Sequence, residues 1–433
     1  MPDCVLLEGK PAVGQQAIQA LLKEWLPRWS NPARQTEEKP LPLEAQLPPL
    51  EEITIDDLES CMATYPDNLG LGINCIHPRS LLHLGRDFRY RLIDIMKAWE
   101  FSPSRPLSWL TLIVSKAKPD GEGLRPIGLT VTILRLWSRI RAKLARIWEK
   151  ANDEVFFWGG TGKPCDRAAW VHNLLAGYAK HAKLEVATLF ADIEKFYDHV
   201  SHNSLQTEGN EVGFPKMLMR AFCGLYEGFR AIAYGTSVSQ PFLALGTIIP
   251  GCSCATTCAK VLMIRLLRKI TANFPSIHCK NVVDDVSMQA LGTERFVGIT
   301  MARVGHQLAL GMKQLRLPLS AKKTVFTASS TSLATKLTAS WNEVGFKRKL
   351  HTRNVGVDTA NGRRRRTTIA DKRLKQSFRR GFRLQQLRKA GGRVASIHRA
   401  GATAVALWGL AGIGLPPGKL HSLRLATVKS HTR

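Results

Sequence analysis

The sequence predicts a mixed α/β fold on three observations. Short apolar, β-branched runs end in acidic residues, as Leu-Phe-Ala-Asp at 189–192 and Val-Val-Asp-Asp at 282–285. Apolar residues recur at helical spacing over 79–99 and 130–150. The chain has 433 residues, of which 44% are hydrophobic, and this is enough to bury sizeable cores in two or three subdomains. We therefore expect helices packed around a sheet whose strands end in carboxylates.

Each predicted element follows from its local pattern. Residues 1 to about 35 have an amphipathic pattern typical of a helix, and a Pro/Glu-rich linker follows to about residue 52. Thr54 or Asp56 is a suitable N-cap for the next helix. The later predicted elements are a strand at 109–114, a strand at 185–190, a helix at 215–229, a Gly/Pro/Cys-rich turn at 246–254, a helix to about 269, a hairpin around 284–285, a Ser/Thr-rich loop at 327–340, a basic amphipathic helix at 371–390 and an apolar core or interface helix at about 400–415.

The positive charge is concentrated in the C-terminal part. The whole chain carries a net charge of +28 and has a pI near 10.1. From residue 346 onward there are 22 Lys or Arg against two acids, Asp358 and Asp371, so this segment alone carries +20. Clustered Lys and Arg bind polyanions because counterions are released from the bound phosphates. The distribution predicts that a nucleic acid binds to a basic region attached to a moderately basic body.

The sequence also predicts an intracellular protein, in the nucleus or the cytoplasm. The nine cysteines are scattered and odd in number, which favours a reducing compartment. The first residues lack the charged and apolar regions of a signal peptide. No run of about 18 uncharged apolar residues occurs, so no membrane span is expected.

Carboxylates at two strand ends predict a metal-dependent phosphoryl-transfer site. The protein ligands of a two-metal site would be Asp192, Asp284 and Asp285. Carboxylates suit this role because Mg²⁺ is held by one or two of them plus substrate phosphates. An Asp-Asp pair alone is weak evidence, since Asp56-Asp57 has the setting of an ordinary helix start. The pair at 284–285 instead interrupts apolar sequence, where burial without a cation or donors is costly. Both of its carboxylates reach one metal cluster only if the chain turns there.

Simpler interpretations of these motifs stay open at this point. The acids at 284–285 also fit a satisfied hairpin turn, and those at 192–198 also fit a helix N-terminus. Cys252, Cys254 and Cys258 lack the spacing of a zinc finger, so small buried cysteines are favoured over a zinc site.

The basic C-terminal segment contains the candidate nucleic-acid contacts. Its run of four arginines fits a phosphate-gripping loop, a nuclear import signal or a solvated charge run, and the surrounding charge favours the first. The helix after it presents one cationic face. The candidates are Arg363, Arg364, Arg365, Arg366, Lys372, Arg373, Arg379 and Arg380.

Two motifs that contain the carboxylates resemble those of a known family. The sequence Asp-Ile-Glu-Lys-Phe-Tyr-Asp at 192–198 and Val-Asp-Asp at 283–285 resemble the first and third palm motifs of reverse transcriptases, especially those of non-LTR (LINE-like) retroelements. Four other segments resemble family motifs and occur in the family's order: Lys116-Ala-Lys-Pro-Asp-Gly with Leu124-Arg-Pro-Ile-Gly-Leu129, Gly246-Thr-Ile-Ile-Pro-Gly-Cys252, Leu319-Ser-Ala-Lys-Lys-Thr324 and Val355-Gly-Val357. The resemblance covers roughly residues 50 to 425.

The resemblance implies an enzyme, an RNA-directed DNA polymerase that uses two Mg²⁺ ions, with Mn²⁺ as the alternative ion. Asp192 and Asp284 would hold the metals, and Asp285 would assist. The primer 3′-hydroxyl would attack the α-phosphate of a dNTP. Lys323 would protonate the leaving pyrophosphate.

The same resemblance implies a set of nucleotide-binding residues. Lys116 or Lys118, together with Arg125, would hold the incoming triphosphate. Gly251 lies in the turn that contacts template and nucleotide in the family. Tyr197 would exclude a ribose 2′-hydroxyl and so select deoxyribose.

At the level of architecture, the resemblance implies a right-hand polymerase with fingers, a palm of antiparallel sheet plus helices, and a helical thumb. The expected segments are an N-terminal helix and linker at 1–50, fingers at 51–185, a palm at 186–340 and a basic thumb at 341–433. The implied partners are an RNA template, a DNA primer or RNA–DNA hybrid, and dNTPs. No membrane partner is expected, and the oligomeric state stays open.

Departures from the family pattern keep two alternatives open. Pro250 stands where the family usually has Gln, Ala255-Thr256 replaces Ser-Pro, and Val283 replaces Ala or Gly, a change expected to be sterically tolerable. A viral RNA-dependent RNA polymerase shares the palm but has an acid five residues after the first metal ligand, where this chain has Tyr197. A catalytically inactive, retroelement-derived nucleic-acid-binding protein is the second alternative, because no endonuclease or ribonuclease H segment is recognisable.

Overall fold

The structure is a computed structural model that describes residues 5–7, 10–30, 47–117, 124–160, 162–362 and 366–431. It combines helices with sheets, which confirms the predicted α/β class. The strands are β1 (Val5–Leu7), β2 (Lys10–Ala12), β3 (Thr111–Ala117), β4 (Leu124–Leu129), β5 (Glu185–Asp192), β6 (Gly228–Tyr234), β7 (Ser237–Val238), β8 (Phe242–Ala244), β9 (His278–Val282), β10 (Asp285–Gly292), β11 (Val325–Ala328), β12 (Lys347–Arg348), β13 (Thr352–Asn354) and β14 (Val357–Thr359).

The helices account for most of the remaining described residues. They are α1 (Gly14–Trp29), α2 (Ile55–Ala63), α3 (Arg86–Phe101), α4 (Thr132–Ala151), α5 (Cys165–His181), α6 (Phe196–His199), α7 (His202–Glu211), α8 (Lys216–Tyr226), α9 (Ala255–Asn273), α10 (Glu294–Gln314), α11 (Thr331–Ser340), α12 (Thr368–Lys389), α13 (Ala395–Ile397), α14 (Ala404–Leu407), α15 (Leu410–Ile413) and α16 (Pro417–His431). Short 3₁₀ turns occur at Pro78–His83 and Leu107–Trp109, and a π-helical turn at His398–Thr403.

The chain forms two compact units. The first unit comprises Met1–Asp153, Lys195–Arg265 and Leu315–Leu317, and the second comprises Glu154–Glu194, Leu266–Gln314 and Pro318–Arg433. The finer division into N-terminal segment, fingers, palm and thumb stays a prediction. No helix within the described ranges is both long and apolar enough to cross a membrane.

A sheet in the order β4-β3-β6-β7, with β8 paired to β6, organises the first unit. β3 runs antiparallel to β4 and parallel to β6. The predicted N-terminal helix spans Gly14–Trp29, and the earlier part of the predicted range is corrected, because β1 and β2 pair as antiparallel strands there. The apolar stripe of the helix packs against this sheet. The core between them is formed by Ala12, Ala17, Ile18, Leu21, Trp25, Trp29, Ile113, Ile232 and Ala244. The helix is therefore an integral part of the first unit.

A buried ion pair joins α3 and α4 in the same unit. Arg141 donates to both carboxylate oxygens of Glu100, at 2.5 and 2.8 Å, and Trp137 donates to Glu100 at 2.6 Å. All three side chains are buried. The two buried charges compensate each other. Removal of either one would leave an unpaired buried charge and lower the free energy of unfolding.

A sheet in the order β12-β11-β5-β10-β9 organises the second unit. The central strand β5 is antiparallel to both β10 and β11. Residues 186–191 are all buried, which explains why this strand has a continuous apolar sequence instead of an alternating one. α5 and α10 both pack against β5 and β10.

Two predicted elements of the second unit were wrong. The Ser/Thr-rich segment 327–340 is the end of β11 followed by helix α11, in which Ser330 acts as N-cap by accepting from Leu333 N at 3.3 Å. The apolar segment near 400–415 is two helical pieces instead of one helix, because residues 395–407 are continuously helical with a π-helical stretch at His398–Thr403, and a separate short helix follows at Leu410–Ile413. It breaks at Gly409, where φ is +71° and a Cβ would lie 2.3 Å from Val357. The predicted basic helix is confirmed as α12.

Glu100→Ala should lower the free energy of unfolding by about 3–5 kcal/mol, because it leaves the buried Arg141 without its counter-charge. Urea unfolding followed by tryptophan fluorescence measures this. Asp94 offers the control, since its ion pair with Arg91 is exposed on both sides. Asp94→Ala should cost less than about 1 kcal/mol. Equal losses in the two variants would contradict the role given to Glu100.

Candidate active site

The acidic pair lies at the tip of a tight hairpin, as its sequence indicated. Val282, the last residue of β9, is the register partner of Asp285, the first residue of β10. Val283 and Asp284 form the two-residue turn between them. Asp284 and Asp285 are therefore not successive strand residues, and the predicted turn that lets both serve one site is present.

Val283 has a φ of +58° in this turn. A β-branched residue is strongly disfavoured in the left-handed region, because its side chain crowds the backbone. The expectation that valine is tolerable here is therefore corrected, because the backbone conformation that it adopts is strained. Strain of this kind is common at functional sites.

Asp192 lies directly opposite Asp285 on the neighbouring strand. Opposite residues of an antiparallel pair share a face of the sheet, with Cβ atoms about 4.5–5.5 Å apart. The backbone N–H of Ile193 donates to the carbonyl of Asp284 at 3.2 Å, which ties the turn to the end of β5. The structure thus brings Asp192, Asp284 and Asp285 together.

The electrostatics of this cluster are unfavourable without a cation. Burial, followed by the charges of Asp284 and Asp192, raises the pKa of Asp285 to about 7. Lys323 and Arg353 act in the opposite direction on the same pKa. Lys323 Nζ lies 3.4 Å from Asp192 Oδ1, while Arg353 is an exposed residue of β13 that sequence reasoning missed.

The segment 318–324 holds Lys323 beside the carboxylates. Ser320 N donates to the Asp192 carbonyl at 2.8 Å, and Glu194 N donates to the Pro318 carbonyl at 2.9 Å. These bonds extend the edge of β5 beyond its last residue. The predicted association of Lys323 with the acidic motif therefore has a backbone cause.

A buried histidine supports β10 behind the hairpin. The ring nitrogens of His172, on α5, lie 2.7 Å from Ser287 Oγ and 3.0 Å from Gln289 Oε1. Burial lowers the pKa of His172 to about 3, so the ring stays neutral. Its role is to anchor the strand that begins at Asp285, and the sequence contained no signal for it.

The carboxylates fit Mg²⁺ by their chemistry. Within the part of the chain that the structure describes, no group of three or more His, Cys, Asp or Glu side chains is arranged so that it could hold a metal ion. Mg²⁺ characteristically takes only one or two protein carboxylates and completes its shell with waters and substrate phosphates. Burial and the neighbouring carboxylates raise the pKa of Asp285, and a bound divalent cation would relieve the cost of both.

Two predicted triphosphate ligands face each other in the first unit. Lys116 and Arg125 are register partners of the antiparallel pair β3–β4, and both are exposed. Their side chains therefore share one face of this hairpin. Lys118 lies outside the described residues.

Tyr197 and Gly251 are linked to the same region of the first unit. Ile248 N donates to the Tyr197 carbonyl at 2.9 Å, and Gly128 N, on β4, donates to the Pro250 carbonyl at 2.9 Å. Gly251 has a φ of +96°, and a Cβ there would lie 3.4 Å from Ile127 of β4. The turn thus connects the segment of Tyr197 to the hairpin of Lys116 and Arg125.

Of the three cysteines after Gly251, Cys254 and Cys258 are buried and Cys252 is partly buried. The Tyr226 hydroxyl lies 3.5 Å from Cys252 Sγ and 3.6 Å from Cys258 Sγ. Burial raises the pKa of Cys254 and Cys258, which disfavours the thiolate form that zinc requires.

The basic segment divides into structural and exposed cations. Arg373 donates to the Trp408 carbonyl at 3.2 Å and Arg380 to the Gly401 carbonyl at 3.0 Å, so both hold α12 to the following turns. Arg363, Arg364 and Arg365 lie outside the described residues, whereas Arg366 lies within them. The exposed cations along α12 are Lys372, Lys375, Arg379, Arg383 and Lys389, of which Lys375, Arg383 and Lys389 were not predicted.

No protein-family model matches this sequence, and no curated protein matches it either. The solved structures that are similar include an apo telomerase from Candida tropicalis truncated from its C-terminal domain, with a TM-score of 0.42 and 11% sequence identity. The similarity covers 67% of this chain and 61% of the telomerase chain, so this chain spans less than two thirds of that length. A similarity at this level says nothing about the activity of this chain.

Asp285→Asn should stabilise the metal-free protein at pH 8 by about 4 kcal/mol, since folding no longer has to bury an ionised carboxylate whose pKa is raised to about 7. The folded-state pKa is raised, so the wild-type penalty appears as pH rises through about 4 to 7 and is absent below about pH 4, where both states are protonated. Urea unfolding in a chelator at pH 4.5, 6 and 8 measures this. A gain for Asp285→Asn that is independent of pH would contradict it. The exposed Asp94→Asn is the control.

Val283→Gly should raise the free energy of unfolding by about 0.5–1 kcal/mol. Glycine relieves the left-handed strain, and this gain exceeds the extra chain entropy that glycine loses on folding. The comparison is Val286→Gly, a buried β10 residue outside the turn, which should destabilise by about 2 kcal/mol or more. A similar loss of stability in both variants would show that Val283 is not strained.

Proposed function

We propose that this chain is an RNA-directed DNA polymerase of the non-LTR retroelement type, which transfers nucleotides from dNTPs to a primer 3′-hydroxyl. The observation that carries the proposal is the register of the central strands, in which Asp192 faces Asp285 while Asp284 occupies the adjoining turn. Three carboxylates at one point of a strongly basic chain suit a metal-dependent reaction on phosphates.

The residues of the second unit would carry the chemistry. Asp192 and Asp284 would hold two Mg²⁺ ions, and Asp285 would orient them. When bound, Mg²⁺ makes the primer hydroxyl more acidic and offsets the charge that develops on the α-phosphate. Lys323, whose Nζ lies 3.4 Å from Asp192 Oδ1, would donate a proton to the leaving pyrophosphate.

The residues of the first unit would select and hold the nucleotide. Lys116 and Arg125 would neutralise the triphosphate from one face of their hairpin. Tyr197 would exclude the 2′-hydroxyl of a ribonucleotide. An RNA template and a DNA primer would contact exposed cations such as Lys372 and Arg379 through their phosphates.

The carboxylate of Asp198 supports this proposal over an RNA-dependent RNA polymerase. An acid that reads a ribose hydroxyl would need free acceptor positions. Asp198 instead accepts from the Trp29 indole N–H at 2.8 Å and lies 3.6 Å from the Arg28 guanidinium, in a buried setting. Selection by Tyr197 is therefore the favoured interpretation.

Purified protein should extend a DNA primer on an RNA template with dNTPs and Mg²⁺, and much less with NTPs. Asp284→Asn should reduce this extension at least roughly a hundredfold, because one metal ligand is lost. Asp56→Asn, in the chain's other Asp-Asp pair, is the matched control and should leave extension unchanged. Efficient NTP use with rejection of dNTPs would indicate an RNA polymerase. Template binding without any incorporation would indicate the inactive nucleic-acid-binding protein.

A further inference from the structure

The N-terminal helix α1 makes three polar contacts with the short segment 195–198. Trp29 Nε1 donates to Asp198 Oδ1 at 2.8 Å, and Arg28 Nη1 lies 3.6 Å from Asp198 Oδ2. One turn earlier on α1, Glu24 pairs with Lys195 at 2.9 Å. Trp29 and Asp198 are both buried, so the bond between them is shielded from water. α1 therefore holds the segment from both ends.

The segment itself has little freedom once these contacts form. Lys195 has a φ of +45°, and its carbonyl accepts from Asp198 N at 2.8 Å, which closes a tight turn around Tyr197. The Tyr197 carbonyl accepts from Ile248 N. The position of Tyr197 therefore depends on where Asp198 is held.

Trp29 is in turn fixed by the strands and by the turn that follows them. Its ring stacks on Phe242 with centroids 6.1 Å apart, and the Arg230 guanidinium lies 5.1 Å from its centroid. Arg230 is completely buried and donates to Thr247 Oγ1 at 2.8 Å. Thr247 has a φ of +81° and precedes the Ile248 that binds Tyr197. One indole therefore joins the two backbone segments that meet at Tyr197.

We propose that Trp29 and Arg28 are positioning residues for sugar selection: they hold the Asp198 carboxylate and thereby set the place of the Tyr197 side chain against the sugar of the bound nucleotide. This inference rests on the proposed polymerase function, and it adds a specificity role for a helix outside the recognised motifs. Steric exclusion changes steeply with distance, so a small displacement of Tyr197 admits a 2′-hydroxyl without affecting a deoxynucleotide. The reacting atoms do not touch α1.

The decisive variant is Trp29→Phe, which keeps an aromatic ring and removes the indole N–H donor. We expect the ratio of kcat/KM for dNTP to kcat/KM for NTP to fall about tenfold, through a lower KM for the NTP, with kcat for dNTP unchanged. Trp148→Phe is the matched control, because Trp148 is also buried in the first unit and donates its indole N–H, to the Val212 carbonyl at 3.0 Å. Its ratio should stay at the wild-type value. Equal effects of the two substitutions would overturn the proposal.

Asp198 provides the complementary test. Asp198→Asn retains an oxygen acceptor for Trp29 and should retain most of the discrimination, whereas Asp198→Ala, which also removes the contact with Arg28, should lose at least as much of it as Trp29→Phe. The double variant Trp29→Phe/Asp198→Ala should be no worse than Asp198→Ala alone, because that substitution already removes the bond to Trp29. Additive losses would show that the two residues act separately and would overturn the proposed linkage.

Amide hydrogen exchange separates failure of this inference from failure of the polymerase proposal. Peptides covering 195–200 and 246–250 should exchange faster in Trp29→Phe, and not in Trp148→Phe, whether or not the protein polymerises. A wild type that incorporates no nucleotide would end the polymerase proposal and the sugar-selection role with it. Unchanged exchange in both peptides would overturn the anchoring role of Trp29 even in an active enzyme.

Discussion

Repulsion among three carboxylates is the constraint on which the second unit depends. β5 lies at the centre of its sheet, so the strand that ends in Asp192 is fixed on both sides, and β10 brings Asp285 opposite to it. The backbone pairing of β5 with β10 and β11 holds the strand ends together, and the charges of Lys323 and Arg353 offset part of the repulsion. A fold that keeps such a cluster in place is prepared for a positively charged ligand. The strained Val283 turn adds a second local cost at the same point.

The sequence was sufficient for features whose signals are local. Apolar strands that end in acids, the hairpin at 284–285 and the cationic helix α12 each follow from neighbouring residues, and the structure has all three. Features that depend on residues distant in the sequence could not be predicted from it. The left-handed φ of Val283 follows from pairing of β9 with β10, and the bond between Asp198 and Trp29 joins residues 169 positions apart. The Ser/Thr-rich run at 327–340 was predicted to be a loop, but most of it is a helix. Its composition did not distinguish the two, because serine caps a helix as readily as it forms a loop.

Net charge proved a coarse guide to nucleic-acid contacts. Arg373 and Arg380 belong to the most basic part of the chain, yet their guanidinium groups bind backbone carbonyls and hold α12 in place. Arginine serves such roles because its planar group carries several donors at once. The exposed face of α12 instead presents Lys375 and Arg383 beside Lys372 and Arg379, at a spacing that only the helix orientation reveals. A charge sum cannot separate these two populations.

The interleaved course of the chain through the two units has a consequence for folding on the ribosome. Most of the first unit ends at Arg265 but its last residues are Leu315–Leu317, and the second unit needs the C-terminal segment, so neither is complete when a contiguous half has been made. β3 cannot pair with β6, and Trp29 cannot bond to Asp198, until the later of the two partners has been synthesised. At roughly 5–20 residues per second, the first 265 residues take about 13–50 s to synthesise. The apolar face of α1 stays without its partners for most of this time, which makes the nascent chain a substrate for chaperones.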